Sequence, residues 1–369
     1  MSATESAPIR RSIEVEYWVV DETGRLTEPG DLASATGAER EFVEPLLEIK
    51  TTPCESAAAL RAELLERIRE VLRLAEERGK RLVPLATPAA REEITELDSE
   101  RTSVQNEVVG EDFEHVRHCA GTHIHVEQQP GCAVDQANAF VALDPALALV
   151  NSSPYVGGRR VTAGARSELY RRRAYATMSH QGRLWRYLDD TDQWDRRLER
   201  RYEEFVAEAL AAGIDRQTVE ANFSPESAVW TPVQLRARFG TVEWRSPDTA
   251  LPSQVLRLAD RLAAISATVR DAEVRIEGQR GEVSDEAVVL PEFATVLSHV
   301  DDAIEKGLAS ESLRRYLDRM GFDVNAYDPL TQEVDRGREL SDAAARELRL
   351  ESAERLERDA FRRSAINAD

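Results

Sequence analysis

Four short stretches of this chain alternate apolar residues with ionisable or polar ones two positions apart, and that spacing constrains the fold more than any other feature. Glu14 and Glu16 flank Val15, and Glu48 and Lys50 flank Ile49. His123, His125 and Glu127 interleave with Ile124 and Val126, and Thr241, Glu243 and Arg245 interleave with Val242 and Trp244. Side chains two apart on a strand share a face. Each stretch therefore reads as a strand with one face for a core and one face for chemistry. An antiparallel sheet with one solvated face explains any single pair without function; four such stretches with these residue types predict a shared polar lining.

The intervening sequence supplies turns and helices. Residues 13–20 read as a strand ending at Asp21-Glu22-Thr23-Gly24, and Leu46 to Thr51 as a second, ended by Pro53. Leu60, Leu64, Ile68, Leu72 and Ala75 follow at helical spacing up to Gly79. Val83 to Ala86 and Gly121 to Glu127 read as strands, residues 135–150 as a mostly buried helix, and 151–158 as a functional loop rich in residues that allow close backbone approach. Helical patterns cover 194–212 and 253–275, with a strand at Gly240 to Arg245 between them. Beyond residue 285 the pattern is mainly helical, with Ser341 as the cap of a charged helix running to about Arg363. No repeat or linker divides the chain. A disordered tail over 1–12 and a single catalytic domain over 13–369 are expected, with the sheet in 13–280 and a mainly helical part in 281–369.

Composition narrows the function classes. The formal charge is −20, from 68 acidic against 48 basic residues, and only Lys50, Lys80 and Lys306 are lysines. That balance looks like adaptation to a high-salt cytoplasm, where a Debye length of ~3 Å mutes self-repulsion. It argues against nucleic acid or an anionic membrane as partner; Arg171-Arg172-Arg173 reads as a solvated helix face. No run approaches the ~18 apolar residues of a membrane span, and the first twelve residues lack the core of a secretory signal. Cys54, Cys119 and Cys132 are odd in number and lack CxxC spacing, so reduced thiols in a cytoplasmic protein are expected. A homodimer would be ordinary.

Carboxylates gathered on one face can hold Mg²⁺, which prefers oxygen; the histidines suit Mn²⁺ or substrate. Lys50 and Arg245 add positive charge for a phosphate. Neither a Walker A loop nor a Rossmann glycine motif occurs, nor a Gly-x-Ser-x-Gly elbow, so a nucleotide would be held through metals on a sheet.

Six blocks in order resemble the type 2 glutamate-cysteine ligase and carboxylate-amine ligase family. They are Ile13 to Asp21, Leu47 to Thr51, Gly121 to Val126, Asn151-Ser152-Ser153-Pro154-Tyr155, Arg166-Ser167-Glu168-Leu169 and Phe239 to Arg245, spanning roughly residues 12–250. The resemblance implies an α+β, glutamine-synthetase-like fold: a curved, mainly antiparallel sheet holding ATP and Mg²⁺ (or Mn²⁺) on its concave face, with helices behind. It implies Glu14, Glu16, Glu48 and Glu243 as metal ligands, His123 or His125 at the metal or nucleotide site, and Arg245 and Arg166 on phosphate or substrate carboxylate. Family members usually open with a glycine and three glutamates; here Ser12 replaces the glycine and Val15 the middle glutamate, which points away from the lining.

The expected reaction joins a carboxylate to an amine through an acyl phosphate, with Arg245 stabilising phosphoryl transfer and Glu127 taking the proton of the amine. Two rivals remain. His123-x-His125 also resembles the metal pair of amidohydrolases, and the substituted opening motif is compatible with a relative that binds amino acid or nucleotide without turnover.

Overall fold

A computed structural model describes residues 8–175 and 178–362. Its centre is a seven-stranded sheet made of β1 (Arg11–Asp21), β2 (Ala38–Arg40), β3 (Leu46–Lys50), β4 (Lys80–Val83), β5 (Thr122–Glu127), β6 (Val233–Arg236) and β7 (Thr241–Trp244). The order is β2-β3-β1-β5-β7-β6, and every pairing is antiparallel. β1 is long enough to take two partners along one edge, β5 against Arg11–Val15 and β4 against Trp18–Asp21, with β3 on the other edge.

Alternation along β1 separates two environments. Ile13, Val15, Tyr17 and Val19 are fully buried beneath helices. That layer includes α1 (Ala57–Glu77), whose Ser56 side chain accepts from Ala59 N, a cap that satisfies one of the orphan donors at a helix start. Glu14 and Glu16 face the other way. So do Trp18 and Val20, but these lie in a second core with Leu46, Val83, Tyr155 and Leu348. The same sheet face is thus polar at one end and apolar at the other.

The remaining helices frame this arrangement. α2 (Glu100–Val109) is capped by Ser99 and overhangs the polar end of the face. α3 (Ala133–Leu143), α4 (Ala165–Arg172), α5 (Thr191–Ala211) and α6 (Pro252–Asp271) follow, with α6 packed on β1 and β5 beside α1. α7 (Asp342–Phe361) begins at Ser341, whose side chain accepts from Ala344 N as expected. It passes the β4 edge and serves both cores: Ala345, Leu348 and Ala353 join the second, Leu356 and Ala360 the first.

Several expectations change. β1 opens at Arg11 and Ile9 is buried, so residues 8–12 are not a loose tail; residues 1–7 lie outside the described residues. β4 lies three residues before the expected 83–86. The helix expected at 135–150 is α3 followed by a tighter turn over Asp144–Val150, with Pro145 at its start. Ala133–Val150 is long and apolar enough to cross a membrane, contrary to the reading of composition, yet 83% of it is buried within the protein. The part beyond 281 also contributes strands, Glu282–Val283 and Ala287–Leu290, to a small sheet with Glu273–Ile276. Asn151, Ser152 and Ser153 are fully buried and do not form an open functional loop: Ser152 Oγ accepts from Ala86 N at 2.8 Å, and Asn151 donates to Ala303 O at 2.9 Å. Arg171 is not solvated either; it forms a buried pair with Asp144 at 2.7 Å, and Asp144 also accepts from Trp244 Nε1 at 2.9 Å.

Candidate active and metal site

Strand register places the chemistry. Glu14 stands between Lys50 on β3 and His123 on β5; Glu16 is opposite Glu48; His125 is opposite Glu243. Residues from four stretches far apart in the chain, from Glu14 to Glu243, thereby line one end of one sheet face. A cleft of about 380 Å³ opens over it, with Glu14, Glu16, Glu48, Lys50, His123 and Arg245 as its floor. Its far wall carries Phe42, Arg101, Gln105 and the stacked rings of Tyr170 and Trp230, whose centroids are 4.4 Å apart.

Two glycines make room for this geometry. Gly240 has φ 63°, the left-handed region that a non-glycine side chain strains to adopt, and turns β6 into β7. At Gly121 a Cβ would collide with the Arg166 guanidinium, and the Gly121 N–H donates to Glu16 Oε2 at 2.6 Å, fixing that carboxylate.

Three sets of donor atoms converge, each within 4.8 Å of one another: Glu14, His125 and Glu243; Glu14, Glu48 and His123; and Glu16, Glu41 and Glu48. Glu14 Oε2 lies 3.3 Å from His123 Nδ1, and Glu243 Oε1 lies 3.6 Å from His125 Nε2. Arg245 binds Glu243 Oε1 at 2.6 Å, Arg236 lies 3.3 Å from Glu243 Oε2, and Lys50 lies 2.6 Å from Glu48 Oε2.

The protonation pattern reveals surplus negative charge. Burial, and then the carboxylates of Glu41, Glu14 and Glu16, push Glu48 up to about 10. Burial and Glu16 push Glu41 up to about 8. Burial would also raise Glu14, but the adjoining imidazoles of His123 and His125 outweigh it and hold that carboxyl well below the usual range. Burial likewise opposes ionisation of Glu243, and Arg245 followed by His125 and His123 overcomes it. Burial and Arg245 depress His123, favouring the neutral imidazole that ligates metals. Five carboxylates and two imidazoles outnumber the nearby cations, and His125 Nε2 is buried without a hydrogen-bond partner among the described residues. A mixed oxygen and nitrogen donor set of this kind fits Mg²⁺ through its carboxylates and Mn²⁺ through carboxylates and imidazoles.

All the expected metal-site residues, Glu14, Glu16, Glu48, His123 and Glu243, meet here, together with His125, Lys50 and Arg245. Two other residues lie elsewhere. Arg166 is buried and donates to the backbone carbonyls of Arg245 and Ser246 at 3.2 and 3.1 Å, so it shapes the strand end and does not face the cleft. The Glu127 carboxylate sits at the outer end of β5, bound by Arg10, and outside the cleft. Glu41, Arg236, Arg101 and the Tyr170–Trp230 pair are additions. Alternation in Val233-Gln234-Leu235-Arg236 carried the signal for Arg236; Glu41 lies in a loop with no pattern to mark it.

Comparison with known proteins agrees with this construction. No curated protein sequence matches the chain. Among solved structures, a bifunctional glutathione synthetase from Pasteurella multocida superposes with a TM-score of 0.56 at 15% identity, covering 96% of this chain and 53% of that one. The chain thus spans about half the length of that protein. A glutamate–cysteine ligase from Francisella tularensis, solved in complex with AMP, gives a TM-score of 0.50 at 14% identity over 97% of this chain and 96% of the other. At such identities the likeness is one of fold, an α+β architecture on a mainly antiparallel sheet. The profile of Glutamate-cysteine ligase family 2 (GCS2) matches residues 7–352, and with the strand-borne acids, histidines and arginine in place the chain belongs to that family.

Proposed function

We propose that the protein is an ATP-dependent carboxylate–amine ligase that makes an amide through an acyl phosphate, with glutamate and cysteine as the first substrates to test. The observation that carries the reading is the convergence of Glu14, Glu16, Glu48 and His123 with Lys50 and Arg245 on one cleft floor, with Glu243 within reach of Glu14 and held by Arg245. A carboxylate cannot expel its oxygen at neutral pH. Transfer of the γ-phosphoryl group of ATP to it gives ADP and an acyl phosphate; the amine then attacks the carbonyl carbon, phosphate leaves, and one proton is released.

Phosphoryl transfer asks chiefly for positioning and charge neutralisation. Divalent cations bound by the carboxylates would neutralise phosphate oxygens. Arg245 stands at the floor with its guanidinium already oriented by Glu243, so it can stabilise charge on the transferring group without reorganising. Lys50, anchored by Glu48 and Glu39, offers a second positive group at the β3 side. Arg166 acts indirectly by fixing the backbone at Arg245 and Ser246. The proton of the amine needs an acceptor nearer the cleft than Glu127.

Incubation with Mg-ATP, a panel of carboxylates headed by glutamate, and each amino acid in turn at molar KCl tests the reading. ADP and a mass-identified amide should appear together and only when both substrates are present. Saturable nucleotide binding without product across the panel would support a non-catalytic relative, and amide hydrolysis without ATP would support a metallohydrolase.

A further inference from the structure

A concentration of positive charge in this acidic protein lies outside the cleft just described. Arg196, Arg197, Arg200 and Arg201 occupy i, i+4 positions along one side of α5, and Arg183 and Arg186 on the preceding segment face them across a second cleft of about 620 Å³. Among the described residues no carboxylate lines this cleft, although the chain carries 68 acidic residues. Trp185 and Phe293 form its apolar patch, with the Arg186 guanidinium 5.5 Å from the centroid of the Phe293 ring.

Acids at the periphery neutralise only part of the charge. Glu204 pairs with Arg201 and stands 3.6 Å from Arg200, and Asp190 stands 3.6 Å from Arg196. Arg197 is spent on backbone, donating to Arg186 O at 2.5 Å and Tyr187 O at 2.9 Å, which ties the two walls together. Among the described residues Arg183 and Arg186 have no carboxylate within ion-pair distance, and both are exposed. Burial, and then Arg201, depress the His180 imidazole at the rim, as expected in a net positive field. Two exposed guanidinium groups without an ion pair, beside three that are partly neutralised and one spent on backbone, leave the cleft net positive and open to an anion.

The geometry points to a binding site for a compact, multiply charged phosphate, distinct from the sheet-borne cleft. We infer that Arg183, Arg186, Arg196 and Arg200 hold it. Planar guanidinium forks on two facing walls match tetrahedral phosphate groups through paired hydrogen bonds. A concave site of this size suits a polyphosphate or a nucleoside polyphosphate, and a net charge of −20 disfavours an extended nucleic acid running beyond it. The partition between the clefts is one segment: Met178 and Gln181 line the sheet-borne cleft, while Ser179, His180 and Arg183 line this one. Gln181 accepts from Trp230 N at 2.6 Å and donates to Ala228 O at 3.0 Å, which fixes that segment between the two clefts.

Isothermal titration of the full chain with tripolyphosphate, in EDTA and at ionic strength held constant with KCl, tests the assignment independently of catalysis. Saturable binding at one site is expected. Arg183→Ser/Arg186→Ser should weaken it by about tenfold or more, since each arginine supplies a charge-assisted contact, with thermal unfolding unchanged because both side chains are exposed. Arg245→Ala should leave it intact. A parallel titration with ADP distinguishes the sources: binding tighter than tripolyphosphate that is lost in Arg183→Ser/Arg186→Ser identifies a nucleotide at this cleft, and equal or weaker binding identifies an inorganic phosphate chain. The inference is overturned if the double variant binds like the wild type, if Arg245→Ala abolishes binding, or if citrate competes as well as tripolyphosphate.

Discussion

The two ends of β1 share a strand, a face and an alternating pattern, yet one end became a site and the other a core. Glu14 and Glu16 look into an open cleft, whereas Trp18 and Val20, continuing the same row of side chains, are sealed against Leu46, Val83 and α7. The difference is the cover. Over Glu14 the nearest opposing wall is set back by a cleft of about 380 Å³; over Trp18 the opposing side chains close completely, leaving no exposed surface. A strand that is polar for half its length and apolar for the other half on a single face is therefore one continuous scaffold with two uses.

The largest effect should come from breaking the sealed half. Trp18→Ala removes a fully buried indole and its hydrogen bond to Leu85 O, and should lower unfolding stability by about 3–5 kcal/mol while leaving Mg²⁺ affinity nearly unchanged. Urea unfolding followed alongside Mg²⁺ titration checks it; loss of metal affinity at unchanged stability would show that the halves are not separable. In the open half, Arg245→Ala should reverse the pattern, reducing kcat for amide formation by about 10²–10³-fold with a small change in the unfolding midpoint. Full retention of activity would remove Arg245 from the proposed mechanism.

A pH series sharpens the contrast further. In the unfolded chain Glu41 and Glu48 titrate near 4.5, whereas folding raises them to about 8 and about 10. Between these values the folded protein holds the extra protons, so their contribution is complete below about pH 4.5 and is lost as pH rises, through about 8 for Glu41 and about 10 for Glu48. Urea midpoints measured in EDTA should fall from pH 5 to 8, and saturating Mg²⁺ should flatten the slope by stabilising the ionised carboxylates; a midpoint that climbs with pH in EDTA would contradict the clustering. The smallest change belongs to the cover itself: Ser341→Ala deletes the cap of α7 and should cost about 1 kcal/mol in thermal unfolding without altering Mg²⁺ affinity.

The acids and histidines of the floor were legible because period-two alternation is a local property, readable wherever a strand has unlike faces. Gly-containing turns and the Ser341 cap of α7 were legible for the same reason. β2 and β6 escaped because each is only three or four residues long, and β4 was displaced because Lys80 and Arg81 resemble turn chemistry until Glu357 is seen to pair with Arg81 at 2.7 Å. The direction of a long side chain is not local at all. Arg166 carries the same charge as Arg245, but the space vacated at Gly121 draws its guanidinium onto backbone carbonyls. Glu127 shares a face with His123 and His125 and still misses the cleft, because the row continues past its rim to Arg10.

The buried Arg349 of α7 donates to Pro88 O at 2.8 Å and to Gly24 O at 2.9 Å, 325 positions upstream. A ribosome releases Trp18 long before it makes the helix that encloses it. Throughout that interval a nascent chain carries an uncovered indole and a bare strip of strand, an invitation to chaperones, and β1 waits for α7 before its surface is safe from aggregation.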